Sequence, residues 1–139
     1  MSEANSAKEK SSESCSSEQE VMLLSCSGGS NVGQLSNQAA VELTQEGFGK
    51  MFCLAGIGGQ LPSFVKSAKE APMVVAIDGC QVGCAKAILK QADVLSSNYV
   101  VITEEGIEKN KNLDLSRENV ERVKNSVRLA VDKNRPDGN

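Results

Sequence analysis

Short apolar segments alternate along this chain with segments whose apolar residues recur at helical spacing. An apolar run of five or six residues that ends in glycine or polar residues is typical of a strand buried in a parallel sheet. Four such strands separated by helices predict an α/β fold: a three-layer, Rossmann-like or flavodoxin-like open parallel sheet with a C-terminal helix. The predicted strands cover residues 21–26, 50–54, 73–77 and 98–103.

The predicted helices lie between the strands and after the last one. The first begins near Asn31 and Gln34, which we interpret as helix-start residues, and ends at Gly47, a residue suited to a helix C-terminus. Ser116 is the expected N-cap of the final helix. Residues 55–59 and 104–114 are predicted to be loops. With the first strand in the centre, the strand order is 2-1-3-4.

Composition divides the chain of 139 residues into one domain and two tails. Residues 1–20 contain seven serines and five glutamates with almost no apolar side chains. Such a segment buries too little apolar surface to offset the entropy lost on ordering, so we expect a disordered tail. Residues 21–134 are predicted to form a single domain, and residues 135–139 a short polar tail.

Charge and hydropathy limit the partners that this chain is expected to have. The net charge of −3 comes entirely from residues 1–20, because the rest has 13 acidic and 13 basic side chains. A neutral body favours neither nucleic acid nor an anionic membrane, since both attract basic surfaces. No segment approaches the ~20 apolar residues of a membrane span. We expect a cytoplasmic protein, in which structural disulfides are rare; no protein partner is indicated.

Cysteine placement is the main functional signal, in a chain that has five cysteines and no histidine. Cys26, Cys53 and Cys80 fall at the carboxyl ends of three predicted strands, where open parallel sheets bind ligands. Cys84 follows one helical turn after Cys80, whereas Cys15 lies in the tail outside this set. Neighbouring strands are ~4.8 Å apart, a distance that tetrahedral Zn–S bonds of ~2.3 Å can bridge. The four sulfurs therefore predict a Zn²⁺ site.

Glycine-rich segments and one carboxylate accompany the cysteines. Gly28, Gly29 and the glycines of residues 56–59 are expected to let backbone amides approach the sulfurs or a ligand. Asp78 precedes Cys80 by two positions and has two interpretations. It is either part of a turn that ends the strand, or a hydrogen-bonding group beside the sulfurs.

Several chemistries remain open for such a site. Four thiolates leave Zn²⁺ no open position, as in a structural site or a carrier. Three thiolates leave room for a water acidified toward pKa ~7, with Asp78 as its base, so the sequence does not decide whether the protein is an enzyme. A different class is a thiol–disulfide protein that uses Cys80 and Cys84 with Cys26 or Cys53. An iron–sulfur cluster is a further alternative, as are buried cysteines without a cofactor.

Three motifs of this chain resemble the DGC-domain proteins. They are Cys26-Ser-Gly-Gly-Ser-Asn-Val-Gly-Gln-Leu, Cys53-Leu-Ala-Gly-Ile-Gly-Gly and Ile77-Asp-Gly-Cys-Gln-Val-Gly-Cys-Ala. The resemblance covers roughly residues 21–130. The family takes its name from the tripeptide that stands here as Asp78-Gly79-Cys80. It implies a zinc-binding domain with Cys26, Cys53, Cys80 and Cys84 as ligands. It implies no reaction and no pathway.

Overall fold

The structure, a computed structural model, describes residues 20–134. Cys15 and the two predicted tails lie outside these residues, apart from Glu20, which forms an exposed ion pair with Lys50. The strands are β1 (Val21–Ser25), β2 (Lys50–Met51), β3 (Met73–Asp78) and β4 (Asn98–Val101). The helices are α1 (Asn31–Gln45), α2 (Leu54–Gly58), α3 (Pro62–Glu70), α4 (Cys84–Gln91) and α5 (Arg117–Lys133), and a 3-10 turn covers Ile102–Glu105.

The four strands form one parallel sheet in the order β2-β1-β3-β4, as the sequence predicted. Ser25 of β1 pairs with Ile77 of β3, so these two central strands end at nearly the same level. Parallel strands point their carboxyl ends toward one edge of the sheet. The α/β class and the C-terminal helix are both confirmed.

Two separate hydrophobic cores cover the two faces of the sheet. Alternate residues of each strand point to opposite faces, so Leu23 and Val75 enter one core while Leu24 and Val74 enter the other. The first core lies under α1 and α5, and the second lies under α2, α3 and α4. Each fully buried leucine or valine contributes about 1.5–3 kcal/mol.

Both long helices are capped at their starts, and the sequence predicted the cap of α5 at Ser116 and the end of α1 at Gly47. Ser30 accepts a hydrogen bond from the amide of Gly33 at 3.1 Å, and Ser116 accepts one from Asn119 at 3.1 Å. Gly47 follows α1 with a φ of 84°, a conformation that glycine adopts without strain. None of the helices within residues 20–134 has the length and apolar character needed to span a membrane.

The glycine-rich segment 55–59 departs from the sequence prediction, because it forms helix α2 and not a loop. The second strand is correspondingly shorter than residues 50–54 and ends at Met51. The reason is helix packing: a Cβ on Gly56 would lie 2.5 Å from the ring of Phe64, and one on Gly58 would lie 3.1 Å from Ile88. These glycines let α2 pack closely against α3 and α4. Their expected role as ligand-binding amides stays a prediction.

Residues 98–103 also differ from the prediction. Strand β4 ends at Val101, and Ile102 begins the 3-10 turn while remaining fully buried in the first core. The apolar run therefore correctly predicts burial, but it does not mark the end of the strand.

Candidate functional site

All four described cysteines lie at the carboxyl edge of the sheet and are free thiols. Cys26 directly follows β1, Cys53 is the N-cap of α2, and Cys84 is the first residue of α4. Cys80 lies two residues after β3. The predicted convergence of these residues on one edge is present, and their surroundings differ from one cysteine to the next.

Cys26 is buried, with 7% of its surface exposed, and is held by hydrogen bonds. Its sulfur accepts a hydrogen bond of 3.2 Å from the backbone amide of Gly79. Burial raises the pKa of the Cys26 thiol above its ordinary value, and the charges of Asp78 and Cys84 raise it further. The Gly79 amide and the Ser36 hydroxyl oppose this rise.

Asp78 organises the start of helix α4. Its carboxylate is 1% exposed and accepts hydrogen bonds from the amides of Ala85 at 2.7 Å and Lys86 at 3.1 Å. The residue before the helix is Gly83, which supplies no side chain for capping, so Asp78 caps α4 from the neighbouring strand. Because Cys84 is the first residue of this helix, Asp78 also fixes the position of the Cys84 backbone.

Tyr99 provides the third hydrogen bond to Asp78, at 2.8 Å from its hydroxyl. Burial, followed by this hydrogen bond to a carboxylate, raises the pKa of Tyr99. The ammonium of Lys86 lies 5.3 Å from the Tyr99 ring centre. Tyr99 had no assigned role in the sequence, although it is the only tyrosine of the chain. A buried carboxylate such as that of Asp78 needs hydrogen-bond donors. That need is the only signal in the sequence that could have indicated a partner such as Tyr99.

Gly79 occupies a position that admits no side chain. A Cβ at this residue would lie 2.7 Å from the carbonyl carbon of Val32 and 2.8 Å from the nitrogen of Gly33. The end of β3 is therefore pressed against the first turn of α1, and this contact brings the Gly79 amide to the sulfur of Cys26.

Cys80 lies on the face of the sheet that the first core covers. It is partly buried and packs against the first core, beneath α1 and α5. Its sulfur accepts a hydrogen bond of 3.4 Å from the ammonium of Lys109, which is carried by the loop before α5. Sequence reasoning missed Lys109, because a lysine in a polar loop gives no indication of a contact 29 positions away.

Asn31 was interpreted only as a helix-start residue, but its side chain also holds this loop. Its amide donates to the carbonyl of Glu108 at 2.8 Å, and its carbonyl accepts from the amide of Asn110 at 2.6 Å. The backbone amide of Asn31 donates to the carbonyl of Asn110 at 3.0 Å. Gln34 plays a parallel role on the loop after Cys26, where its side chain donates to the carbonyl of Gly28 at 2.8 Å.

The cysteine sulfurs at the carboxyl edge of the sheet are suitable ligands for a thiophilic metal. In the described part of the chain, however, they are not arranged as a complete coordination site. Within residues 20–134, no three cysteine, aspartate or glutamate side chains lie close enough to hold one metal ion. Cys53 and Cys84 are exposed, while Cys80 packs against the other core. The oxygens of Asp78 accept hydrogen bonds from two amides and a hydroxyl, and none from the four described cysteines.

The groove lined by Gln60, Pro62, Val65, Lys66, Lys69, Glu70, Gln91 and Ala92 contains none of these thiols. It has a volume of about 550 Å³ and lies between α3 and the end of α4. The thiol chemistry of this protein is therefore separate from that groove.

The fold and the site together define a small α/β protein whose parallel sheet carries four thiols at its carboxyl edge. The model of the DGC domain matches residues 22–127, and the chain belongs to the DGC domain family. It is also 33% identical over 102 residues to the Anaerobic and virulence modulator AnvM of Pseudomonas aeruginosa. That alignment covers 73% of this chain and 78% of the relative. No solved structure matches.

Proposed function

We propose that this protein binds a thiophilic metal ion, Zn²⁺ before others, through cysteine thiolates at the carboxyl edge of the sheet. The observation that carries the proposal is the supply of four free thiols by the ends of three neighbouring strands and one helix start. Thiolates are ligands of choice for Zn²⁺, and cysteine alone can supply a complete tetrahedral set. With four thiolates, the bound ion would serve a structural or carrier role.

The fixed and the exposed thiols have different parts in this proposal. Cys26 is anchored by Gly79, whereas Cys53 and Cys84 are exposed at the starts of two helices that both cover the second core. We infer that Cys26, Cys53 and Cys84 form the group on one face, with Cys80 as the ligand that must turn toward them. Binding would therefore close the site by side-chain movement, since metal affinity and local ordering are coupled.

Metal analysis of purified protein tests the proposal, with single cysteine-to-serine variants as the comparison. Zinc should co-purify at about one ion per chain. Cys26→Ser and Cys84→Ser should each weaken binding by one to two orders of magnitude or more, since a ligand is lost. Cys15→Ser is the matched control and should bind as the wild type does. Equal zinc retention in all three variants would overturn the assignment of the ligands.

The same measurement separates zinc from an iron–sulfur cluster. A cluster held by these cysteines would absorb visible light and yield iron and sulfide on analysis, whereas Zn²⁺ is colourless. Anaerobic purification is required, because oxidation of exposed thiols such as Cys53 and Cys84 would remove ligands before the metal is counted.

A second candidate function is thiol–disulfide exchange, and the exposure of Cys84 at the start of α4 favours it. Two cysteines of the edge would lose two electrons and two protons to a disulfide of a partner, which would become two thiols. The relative from Pseudomonas aeruginosa is named a modulator of anaerobic and virulence functions. A regulatory role that responds to oxidant supply would suit the same chemistry, in the reducing cytoplasm.

Counting free thiols before and after mild oxidation tests this alternative. A loss of two thiols that a reductant restores, with Cys84 in the modified peptide, would support disulfide chemistry. Retention of all thiols at an oxidant level that converts a reference dithiol would reject it.

A further inference from the structure

Lys109 introduces a positive charge at one thiol of the edge. Its ammonium donates to the sulfur of Cys80 at 3.4 Å. Among the described residues, Cys53 and Cys84 receive no hydrogen bond from an ammonium group, although both are more exposed than Cys80. The four thiols are therefore electrostatically unequal before any ligand binds.

The backbone on both sides of Lys109 is fixed by one residue. The Asn31 side chain bonds to the carbonyl of Glu108 and to the amide of Asn110, the two neighbours of Lys109. Asn31 itself is 7% exposed, so water competes little for these hydrogen bonds. Ile107, which is 4% exposed, inserts the same loop into the first core. The position of the Lys109 backbone is thus set by the fold, which places the base of its side chain beside Cys80.

Within residues 20–134, no carboxylate forms an ion pair with Lys109. Glu104 is directed to the side-chain amide of Gln81 at 3.5 Å. Lys86 lies over the ring of Tyr99, on the side of the site that belongs to α4. Among the charged groups of the described residues, Lys109 is the one that contacts the Cys80 sulfur.

We infer that Lys109 is the charge partner of the Cys80 sulfur, with Asn31 as its positioning residue, and that Cys80 is therefore the thiol of this edge toward which negatively charged thiol-reactive molecules are attracted. The inference rests on the proposed function and deepens it. A metal ion with four thiolates carries a net charge of about −2, which a neighbouring ammonium offsets. In the metal-free protein, the same ammonium attracts anionic thiol-reactive molecules.

The test compares two alkylating reagents of similar size on metal-free, reduced protein. Iodoacetate is an anion and iodoacetamide is neutral, and the extent of reaction at each cysteine is measured by peptide mass spectrometry. The ratio of the two rates at one cysteine and one pH is independent of how far that thiol is ionised. The ratio therefore reports the local charge.

Lys109→Met should lower the iodoacetate-to-iodoacetamide ratio at Cys80 about five-fold at low salt, the effect of one unit charge at about 4 Å in water. Lys109→Arg should restore the ratio, because it keeps the charge. Asn31→Ala should lower it in the same direction. The ratios at Cys53 and Cys84 are internal controls and should not change.

An unchanged ratio at Cys80 in Lys109→Met, or an equal change at all cysteines, would overturn the inference. Lys109 is exposed, so this variant keeps the test valid even if Asn31→Ala fails to fold. Zinc binding is measured separately on the same proteins. If the Cys80 ratio depends on Lys109 but no zinc binds, the proposed function is rejected and the inference stands. If zinc binds but the ratio does not depend on Lys109, the inference is rejected and the proposed function stands.

Discussion

The tripeptide Asp78-Gly79-Cys80 assigns a different task to each of its residues. Asp78 caps helix α4 from a neighbouring strand, Gly79 joins the end of β3 to the first turn of α1, and Cys80 presents its sulfur to Lys109. Two of these three tasks are structural. The motif that suggested metal chemistry therefore also has a structural role: it aligns the starts of α4 and α1 with the end of β3.

Gly79→Ala should destabilise the protein by about 3 kcal/mol, because the added Cβ would meet backbone atoms that cannot move aside easily. The measurement is the free energy of unfolding in urea. Gly29→Ala is the matched control, since no atom lies within 4 Å of a Cβ at that position. Equal stability of the two variants would show that the close contact between β3 and α1 is absent in solution.

At the scale of elements, ion pairs fasten α5 to α1. Lys124 of α5 has a side chain only 4% exposed and lies 3.0 Å from Glu42 and 2.5 Å from Glu46. Arg117 pairs with Glu42, and Arg128 pairs with Glu46. A buried ammonium without these carboxylates would be strongly unfavourable, so the network fixes the angle at which α5 lies on the first core.

The stability of this helix pair should depend on acid pH. The hydrogen bond from Arg117 lowers the pKa of Glu42 from 4.5 to about 2. A lowered carboxyl pKa gives stability that is present above pH 4.5 and is lost as the pH falls toward about 2. Glu42→Gln should therefore reduce stability at neutral pH by roughly 1 kcal/mol and flatten the loss in this acid range.

Thermal unfolding followed between pH 4.5 and 2 measures this effect. Glu70→Gln is the control, because Glu70 is exposed at the end of α3 and joins no ion pair among residues 20–134. If Glu42→Gln and the wild type lose stability in parallel across this interval, the network does not fasten the two helices.

At the scale of the whole molecule, the sequence predicted the α/β class, the strand order and the final helix, because apolar periodicity records which face of each element is buried. The sequence also predicted that the cysteines lie at one edge of the sheet. It misassigned the segment from Leu54 to Gly58, since glycines that admit a neighbouring helix look the same in sequence as glycines of a loop. Lys109 was missed, as was the hold of Asn31 on the loop that carries it, because these contacts connect positions remote in the chain.

The cysteines were also expected to share one compact site, and the described residues show why sequence could not settle this. Cys80 packs against the first core, whereas the helices that begin at Cys53 and Cys84 cover the second. Strand ends specify the edge of a sheet, but the turn after each strand decides the face toward which a side chain leans. One residue, Gly79, separates Asp78 at the end of β3 from Cys80, and the conformation of such a turn is not encoded in the spacing of the cysteines.

Zinc should stabilise the folded protein as a whole. A ligand at 100 times its dissociation constant that binds only the native state adds about 2.7 kcal/mol to the free energy of unfolding. Added zinc should therefore raise the midpoint of urea unfolding in the wild type and in Cys15→Ser, and by clearly less in Cys26→Ser. A lowered midpoint would contradict the proposal, because it would mean that the metal prefers thiols of the unfolded chain.

The pairing of Val21–Ser25 with Met73–Asp78 has a consequence for synthesis on the ribosome. Cys26 is made early, but Gly79, whose amide bonds to its sulfur, emerges only after some fifty more residues have been translated. During that interval the Cys26 thiol of the nascent chain is accessible to oxidants. Once the protein has folded, the thiol is shielded. A sulfinic acid at Cys26 would consequently mark molecules oxidised before they finished folding, and pulse labelling during translation would reveal when that protection begins.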